Sequence, residues 1–250
     1  MKRFNRKSFI VLMIFALLFP VSSFAEEKIL VGVAANYILT FKELSAAFEK
    51  LTGIRVKAVF TSSGNLYTQI NNGAPYDIFL SADEERPARL YKDGLAKKPF
   101  TYAIGQIILW SLKKDFCSAK EWTLALRDAR IKKIAIANPE TAPYGLSSLK
   151  VLRKTGLYDS LKPKLVISQN IAQAFQYAST EAVDAGFCAL SVAFSENGRA
   201  GCYYIIQEAP SIMQSACILK GSKNIRGAEK LAAFLVSRDA VAIKKKYGYR

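Results

Sequence analysis

The chain has 250 residues, 51% of them hydrophobic, which is enough for one large domain or two compact ones around a substantial core. Four N-terminal basic residues account for part of the formal net charge of +16, and the remaining +12 is spread out without an arginine-rich block, so nucleic-acid binding is not expected. Histidine is absent, which excludes Ser-His-Asp and Cys-His catalysis and removes the commonest zinc and copper ligand.

The N-terminal segment predicts an export signal. Basic residues open it, an apolar run follows over 9–21, and small side chains stand at Ser23 and Ala25, the two positions that a signal peptidase inspects. We predict a signal peptide over residues 1–25 with cleavage after Ala25, and therefore a protein exported from the cytoplasm. A transmembrane anchor is the alternative, although the apolar run is shorter than the ~20 residues that a span requires. No cysteine follows the signal directly, so a lipid anchor is not expected.

From Lys28 onward, short β-branched or apolar runs alternate with helical patterns. Gly53 is placed to end the first long helix, Ser62 and Ser63 precede the second, and a closing helical pattern covers 227–247. This β-α-β order implies mainly parallel sheets flanked by helices, and so an α/β fold. The predicted strands lie at 29–33, 55–60, 77–80, 107–112, 133–137, 164–167, 186–190, 202–206 and 214–219.

Four cysteines stand at 117, 188, 202 and 217, in an exported chain where disulfides persist. Their spacing fits no metal-binding motif. They allow three complete pairings, of which we favour Cys202 with Cys217 because these two flank a predicted pair of neighbouring strands. In the alternative, all four are small buried hydrophobic side chains.

Four segments put the end of a strand or a loop directly before a helical pattern, at 34–37, 61–64, 142–145 and 168–171. In open α/β sheets such junctions gather at one edge, where ligands bind. Each segment is rich in small or hydrogen-bonding residues, and none contains Lys, Arg, Asp or Glu. Converging helix starts and neutral hydroxyls therefore predict an anion site without a countercharge.

The absence of carboxylates from these segments narrows the choice of anion. Monohydrogen phosphate carries a proton that needs an acceptor, and a site built of donors would leave it unpaired at a cost of about 1–3 kcal/mol. Molybdate, tungstate and sulfate are fully deprotonated and meet no such penalty. The sequence does not give the size of the pocket, so the choice among these three stays open.

Four motifs in this order carry a family resemblance: GVAANY at 32–37, SSGNL with GAPYDIFLSAD between 62 and 83, NPETAPYG at 138–145 and KKYGY at 245–249. On them the chain resembles the periplasmic molybdate-binding proteins of ABC importers, through nearly the whole mature sequence. The resemblance implies a two-lobed, type II-like periplasmic binding protein with a mainly parallel sheet in each lobe and the ligand in the cleft between lobes. It places residues 26–105 plus 195–250 in lobe I and 106–194 in lobe II. On the sequence pattern alone, a single doubly wound sheet is the alternative.

The resemblance also implies an oxyanion-binding set. Asn36 and Ser63 would donate from their side chains, whereas Tyr144 and Ile171 would donate from their backbone N–H groups. Lesser contacts are expected from Ala35 and Ser62. Each position also has an ordinary structural explanation, such as a helix cap or a packed side chain.

The sequence departs from the family pattern at two positions. Asn36 stands where serine is frequent, and Ala189 stands where many members place a tyrosine whose hydroxyl reaches the oxyanion. Tyr144 occupies a position that is often small, so its phenol is a candidate replacement for the missing hydroxyl.

Taken together, these features predict a monomeric solute-binding protein that captures molybdate, and also tungstate, and delivers it to the membrane subunits of an ABC importer. No enzyme activity, cofactor or protein ligand to a metal is expected. The alternative in the same class is a receptor for sulfate or another fully ionised oxyanion. From another class, a secreted hydrolase could use Ser62 or Ser63 with a lysine base, or Asp77 with Asp83. A receptor for an organic anion or a metal is a third possibility.

Overall fold

The structure is a computed structural model that describes residues 27–250. The predicted signal peptide and its cleavage after Ala25 lie outside the described residues. The described strands are β1 Lys28–Ala34, β2 Arg55–Thr61, β3 Ile78–Leu80, β4 Phe100–Gly105, β5 Ile107–Ser111, β6 Ile134–Ala137, β7 Leu165–Ser168, β8 Ala185–Ala189, β9 Cys202–Ile205 and β10 Ile212–Ile218. The described α-helices are α1 Ile38–Thr52, α2 Ser63–Asn71, α3 Glu85–Lys92, α4 Trp122–Ala125, α5 Pro143–Lys154, α6 Tyr158–Leu161, α7 Ile171–Ser179, α8 Glu196–Ala200, α9 Ile225–Leu235 and α10 Arg238–Lys246.

These strands form two sheets of five, in the orders β2-β1-β3-β10-β4 and β7-β6-β8-β5-β9. In the first sheet, β10 is antiparallel to both of its neighbours, and in the second sheet β5 is antiparallel to both of its own. The other ladders are parallel, so four of the five strands in each sheet run in one direction. This confirms the predicted α/β fold with two mainly parallel sheets. We call each sheet with its flanking helices the first and the second lobe.

The chain crosses between the lobes at Gln106, the single residue between β4 and β5, and again between β9 and β10. Because β9 pairs with β5, the second sheet extends to Ile205, beyond the boundary expected at residue 194. The sequence does not mark β4 as a separate strand, since FTYAIG runs into IILWS with only Gln106 between them. The closing helical pattern is two helices, because Ser237 accepts a hydrogen bond from the Ala240 N–H and so caps a new start.

Strand β1 is buried on both faces and holds the first site segment in place. Val31 and Val33 pack into one hydrophobic cluster with α1 and α9, while the opposite face, at Leu30, meets a second cluster that contains Leu66 and Phe79. Gly53 ends α1 in the left-handed region with φ 72°, as predicted. The end of β1 that leads into the first site segment is therefore fixed by packing on both faces of the strand.

The predicted pairing of Cys202 with Cys217 is wrong. The disulfide joins Cys117 to Cys202, whose Cα atoms are 6.1 Å apart. Cys202 begins β9 in the second sheet and Cys217 lies in β10 of the first, so the two strands that look like neighbours in the sequence belong to different lobes. Cys188 and Cys217 are buried free thiols. Burial raises the pKa of the Cys217 thiol to about 12 and also raises that of Cys188, so both act as small hydrophobic side chains.

Within residues 27–250, no helix combines the length and the apolar character that crossing a bilayer requires.

Candidate functional site

A small cavity lies between the lobes, where strands of both sheets turn into helices. The volume of this cavity, counted as the space open to the centre of a water-sized sphere, is about 10 Å³. This is close to the volume that a single water needs. All six residues predicted to contact a ligand lie in its wall, and none of the described residues that line it is charged. The wall is formed by Ala34, Ala35, Asn36, Ser62, Ser63, Ala82, Ala142, Pro143, Tyr144, Asn170 and Ile171.

Three long helices begin at this wall with a backbone N–H that has no protein acceptor. The first N–H groups of a helix lack intrahelical partners. Within the described part of the chain, the N–H groups of Ser63 in α2, Tyr144 in α5 and Ile171 in α7 donate to no protein atom. Pro143 has no N–H, so Tyr144 supplies the first donor of α5. Each helix start adds roughly half a positive charge, so the three together favour an anion.

The capping side chains leave these first donors unbonded. The Asn170 Oδ1 atom accepts from the N–H groups of Ala172 and Gln173, each at 3.1 Å, and so bypasses Ile171. In α2 the Ser62 hydroxyl oxygen accepts from the Asn65 N–H at 3.3 Å, which likewise leaves Ser63 unbonded. The caps stabilise the helices, therefore, without consuming the first N–H groups of the helices at the cavity wall.

The Ser63 side chain is held ready to donate. Its Oγ atom accepts a hydrogen bond from the Ala82 N–H at 2.9 Å, and the residue is 1% exposed. An accepted bond fixes the oxygen and leaves the hydroxyl proton free for a ligand. Ala82 follows β3 and belongs to the wall, although no pattern in the sequence selects it.

The Asn36 side chain differs from the expectation that it donates to the ligand. Its amide nitrogen donates to the Gln214 Oε1 atom at 2.8 Å and to the Tyr249 hydroxyl at 3.0 Å. The same Gln214 Oε1 atom also accepts from the Tyr102 hydroxyl at 3.0 Å. Because this atom is an acceptor, the end of the Asn36 amide that contacts it is the NH₂ group, which donates. Both amide protons of Asn36 therefore point away from the cavity, even though the residue lies in its wall.

The Tyr144 phenol also differs from its predicted role. Its hydroxyl accepts from the Gln214 Nε2 atom at 3.3 Å. It occupies the space where a Cβ atom on Gly105 would lie, at the crossover between β4 and β5. The phenol therefore bonds within the protein, and the unbonded backbone N–H of Tyr144 is a separate donor of this residue at the cavity wall.

These contacts define a hinge cluster behind the cavity, in which side chains of both lobes are joined by hydrogen bonds. The Tyr249 hydroxyl donates to the Asn36 carbonyl at 2.8 Å, and the Ser191 hydroxyl donates to the same oxygen at 3.0 Å. Burial raises the pKa of each of the three phenols of the cluster above the usual 10.0, so they stay neutral. The cluster consists of Asn36, Tyr102, Tyr144, Ser191, Gln214 and Tyr249.

Comparisons with known proteins agree with this architecture. The profile of the family described as bacterial extracellular solute-binding protein matches residues 29–250. The chain belongs to this family. It is 38% identical over 227 residues to the molybdate-binding protein ModA of Azotobacter vinelandii, covering 89% of each sequence. It is 36% identical over 227 residues to the ModA of Rhodobacter capsulatus, covering 90% of this chain and 89% of that one.

Solved structures of solute-binding proteins show the same two lobes. The Azotobacter vinelandii periplasmic molybdate-binding protein matches with a TM-score of 0.84 at 35% identity, covering 89% of this chain and 98% of that chain. The sulfate-binding protein SubI of Mycobacterium tuberculosis matches with a TM-score of 0.71 at 13% identity, covering 90% of this chain and 86% of that one, which shows a shared fold alone. The resemblance to periplasmic molybdate-binding proteins is thus confirmed.

In this member of the solute-binding family, the carboxylates considered for hydrolysis have structural partners. The Asp77 carboxylate accepts from the Leu30 N–H at 2.6 Å and from the Ser222 hydroxyl at 2.6 Å, which ties β1 and β3 to the segment before α9. The Asp83 carboxylate forms an ion pair with the Arg86 guanidinium. It also accepts a hydrogen bond from the Arg86 backbone N–H, so it fixes the start of α3. Neither lines the cavity. Within the described part of the chain, no cluster of acidic or cysteine side chains is suited to hold a metal ion.

Proposed function

We propose that the protein is an extracytoplasmic solute-binding protein that captures molybdate, and also tungstate, and delivers it to the membrane subunits of an ABC importer. Three residues with unbonded N–H groups, one of them Ser63 with its hydroxyl, lie in the wall of one uncharged cavity, and this is the observation that carries the proposal. Two relatives of more than a third identity are named for molybdate binding, which supports the same ligand here.

Selectivity would follow from the donors. A tetrahedral dianion can accept from N–H and O–H groups on every side, and the exclusion of water when the two lobes close over the anion would strengthen each such bond. The proton of monohydrogen phosphate would face other donors, with a penalty of about 1–3 kcal/mol.

We further propose that the described residues divide into a first lobe of 27–105 plus 206–250 and a second lobe of 106–205. The support is the sheet order, since β9 belongs to the second sheet and β10 to the first. An export signal over residues 1–25 would bring the protein to the periplasm, where a monomer could meet the importer.

Calorimetric titration of the purified mature protein with molybdate, tungstate, sulfate and phosphate tests the proposal. We expect micromolar or tighter binding of molybdate and tungstate, about −8 kcal/mol or better, and no measurable binding of phosphate. Tight binding of sulfate alone would favour the sulfate-receptor alternative. Tight binding of phosphate, or no binding of any of the other three, would contradict the proposal.

A further inference from the structure

The two lobes touch directly beside the cavity, at Gly64 and Thr141. Gly64 is the second residue of α2 in the first lobe, and Thr141 lies in the loop between β6 and α5 of the second. The Gly64 backbone N–H donates to the Thr141 carbonyl oxygen at 2.8 Å. The neighbours of this pair, Ser63 and Ala142, line the cavity, so the contact closes its rim.

This contact leaves no room for a side chain at residue 64. A Cβ atom there would lie 2.8 Å from the Thr141 Cα atom and 2.9 Å from its carbonyl oxygen. Both are backbone atoms, which cannot move aside as the end of a flexible side chain can. The φ angle of Gly64 is outside the left-handed region, so its own conformation does not demand glycine. Glycine is required at residue 64 because the backbone of Thr141, in the second lobe, lies so close.

The loop that carries Thr141 is built to receive this contact. The Asn138 side chain accepts from the Glu140 N–H at 2.9 Å, and the Asn138 carbonyl accepts from the Ala142 N–H at 2.9 Å. The preceding carbonyl of the loop, that of Glu140, accepts from the Arg86 guanidinium of the first lobe at 3.2 Å. Two successive carbonyls of the second lobe are therefore bonded by donors of the first.

We propose that Gly64 is a positioning residue for anion binding, and that its N–H forms a backbone latch with Thr141 when the lobes close. The inference rests on the proposed function, because the anion donors come from both lobes and act together only at the closed spacing. A side chain at residue 64 would hold the lobes apart and so weaken binding without touching the anion. The Gly64 N–H is also a direct reporter of closure, since α2 itself offers it no acceptor.

The substitution Gly64→Ala tests this role. Alanine is favoured over glycine in a helix, so the thermal midpoint of the unliganded variant should equal or exceed that of the wild type. The overlap with Thr141 should weaken molybdate binding by about ten- to hundredfold, chiefly through faster dissociation. Calorimetry, stopped-flow release and a thermal melt measure these three quantities.

Gly221→Ala is the matched control. A Cβ atom on Gly221 would meet no atom within 4 Å, and its φ angle also lies outside the left-handed region. This variant should bind molybdate as the wild type does. Equal affinity in Gly64→Ala and the wild type would overturn the inference, and so would a large fall in the thermal midpoint of unliganded Gly64→Ala, which would make Gly64 a requirement of its own lobe.

Amide hydrogen exchange at residue 64 separates this inference from the proposed function. If the wild type binds molybdate, the anion should slow exchange of the Gly64 N–H in the wild type. In the Gly64→Ala variant, the anion should not slow exchange at residue 64. Unchanged exchange at Gly64 in the wild type on addition of molybdate would overturn the latch. If the wild type binds none of the four anions, the proposed function fails. The latch is then judged on the unliganded proteins, where protection at Gly64 that is lost in the variant supports it and equal exchange overturns it.

Discussion

The cavity and the hinge cluster lie side by side and use the same kinds of polar group in opposite ways. In the cavity, the N–H groups of Ser63, Tyr144 and Ile171 have no acceptor among the described residues. In the hinge cluster, the side chains of Gln214 and Tyr249 exchange hydrogen bonds with their neighbours on several sides. Unbonded donors are costly in a folded protein unless a ligand pairs them, whereas a saturated buried network stabilises one arrangement.

Two residues take part in both regions. Tyr144 presents its backbone N–H to the cavity and its phenol to the hinge cluster. Asn36 lies in the cavity wall while its amide belongs to the cluster. We therefore expect substitutions in the hinge cluster to act mainly on the free energy of unfolding, and substitutions in the cavity to act mainly on the affinity for the anion. Measuring both quantities for each variant tests this difference.

The largest expected effect is on stability, from Gln214→Leu in the hinge cluster. Gln214 is fully buried, and the change leaves Asn36 and Tyr102 without their shared acceptor. Buried groups that lose their partners cost about 1–3 kcal/mol each, so we expect the free energy of unfolding to fall by about 3 kcal/mol or more. Urea denaturation measures it. Gln176→Leu on the exposed face of α7 is the control. An equal fall in the free energy of unfolding in this control would contradict a stabilising role for the hydrogen bonds of the hinge cluster.

The next effect is on affinity, from Ser63→Ala in the cavity. The variant loses the hydroxyl donor to the anion, and a hydrogen bond to a charged group contributes about 1.5–3 kcal/mol, or roughly ten- to hundredfold in Kd. The Ala82 N–H loses its acceptor too, so unfolding should become easier by about 1 kcal/mol. Ser179→Ala, at the far end of α7, should change neither quantity. Wild-type affinity in Ser63→Ala would remove Ser63 from the site.

A smaller effect is expected from Tyr144→Phe, which separates the two roles of this residue. The phenol accepts a hydrogen bond from Gln214, so its loss should lower the free energy of unfolding by about 1 kcal/mol. The backbone N–H is unchanged, so Kd for molybdate should stay within about threefold of the wild type. A larger loss of affinity, measured by calorimetry, would mean that the hydroxyl reaches the anion after all.

The smallest effect is the pH dependence of binding. None of the described residues lining the cavity is acidic, basic or histidine, so Kd for molybdate should be flat between about pH 6 and 9. Stability behaves differently at high pH, because burial raises the pKa of Tyr144 and Tyr249 above the usual 10.0. The folded protein then holds protons that the unfolded chain releases, and the free energy of unfolding falls as the pH rises above about 10. Titrations and melts over this range would detect a contrary trend.

The sequence predicted the cavity because its parts are local. A strand end followed by a small polar residue and a helical pattern already indicates where free N–H groups lie, and all four such segments meet in the structure. The hinge cluster depends instead on partners 178 and 213 residues away from Asn36, which no local pattern reveals.

The same distinction explains the other differences. The order of strands within the chain suggested that Cys202 and Cys217 were neighbours, but β9 and β10 belong to different sheets. Gly64 follows two serines and looks like part of a cap, while the reason for a glycine there is the approach of Thr141 from the other lobe. Contacts made across lobes are set by tertiary packing, so they become visible only in the folded structure.

A crystal structure of the protein with bound molybdate tests the central claim most directly. We expect the anion in the described cavity, with its oxygens about 2.7–3.1 Å from the N–H groups of Ser63, Tyr144 and Ile171 and from the Ser63 hydroxyl. No lysine or arginine side chain should contact it. An anion held by basic side chains, or bound away from these three helix starts, would contradict the account.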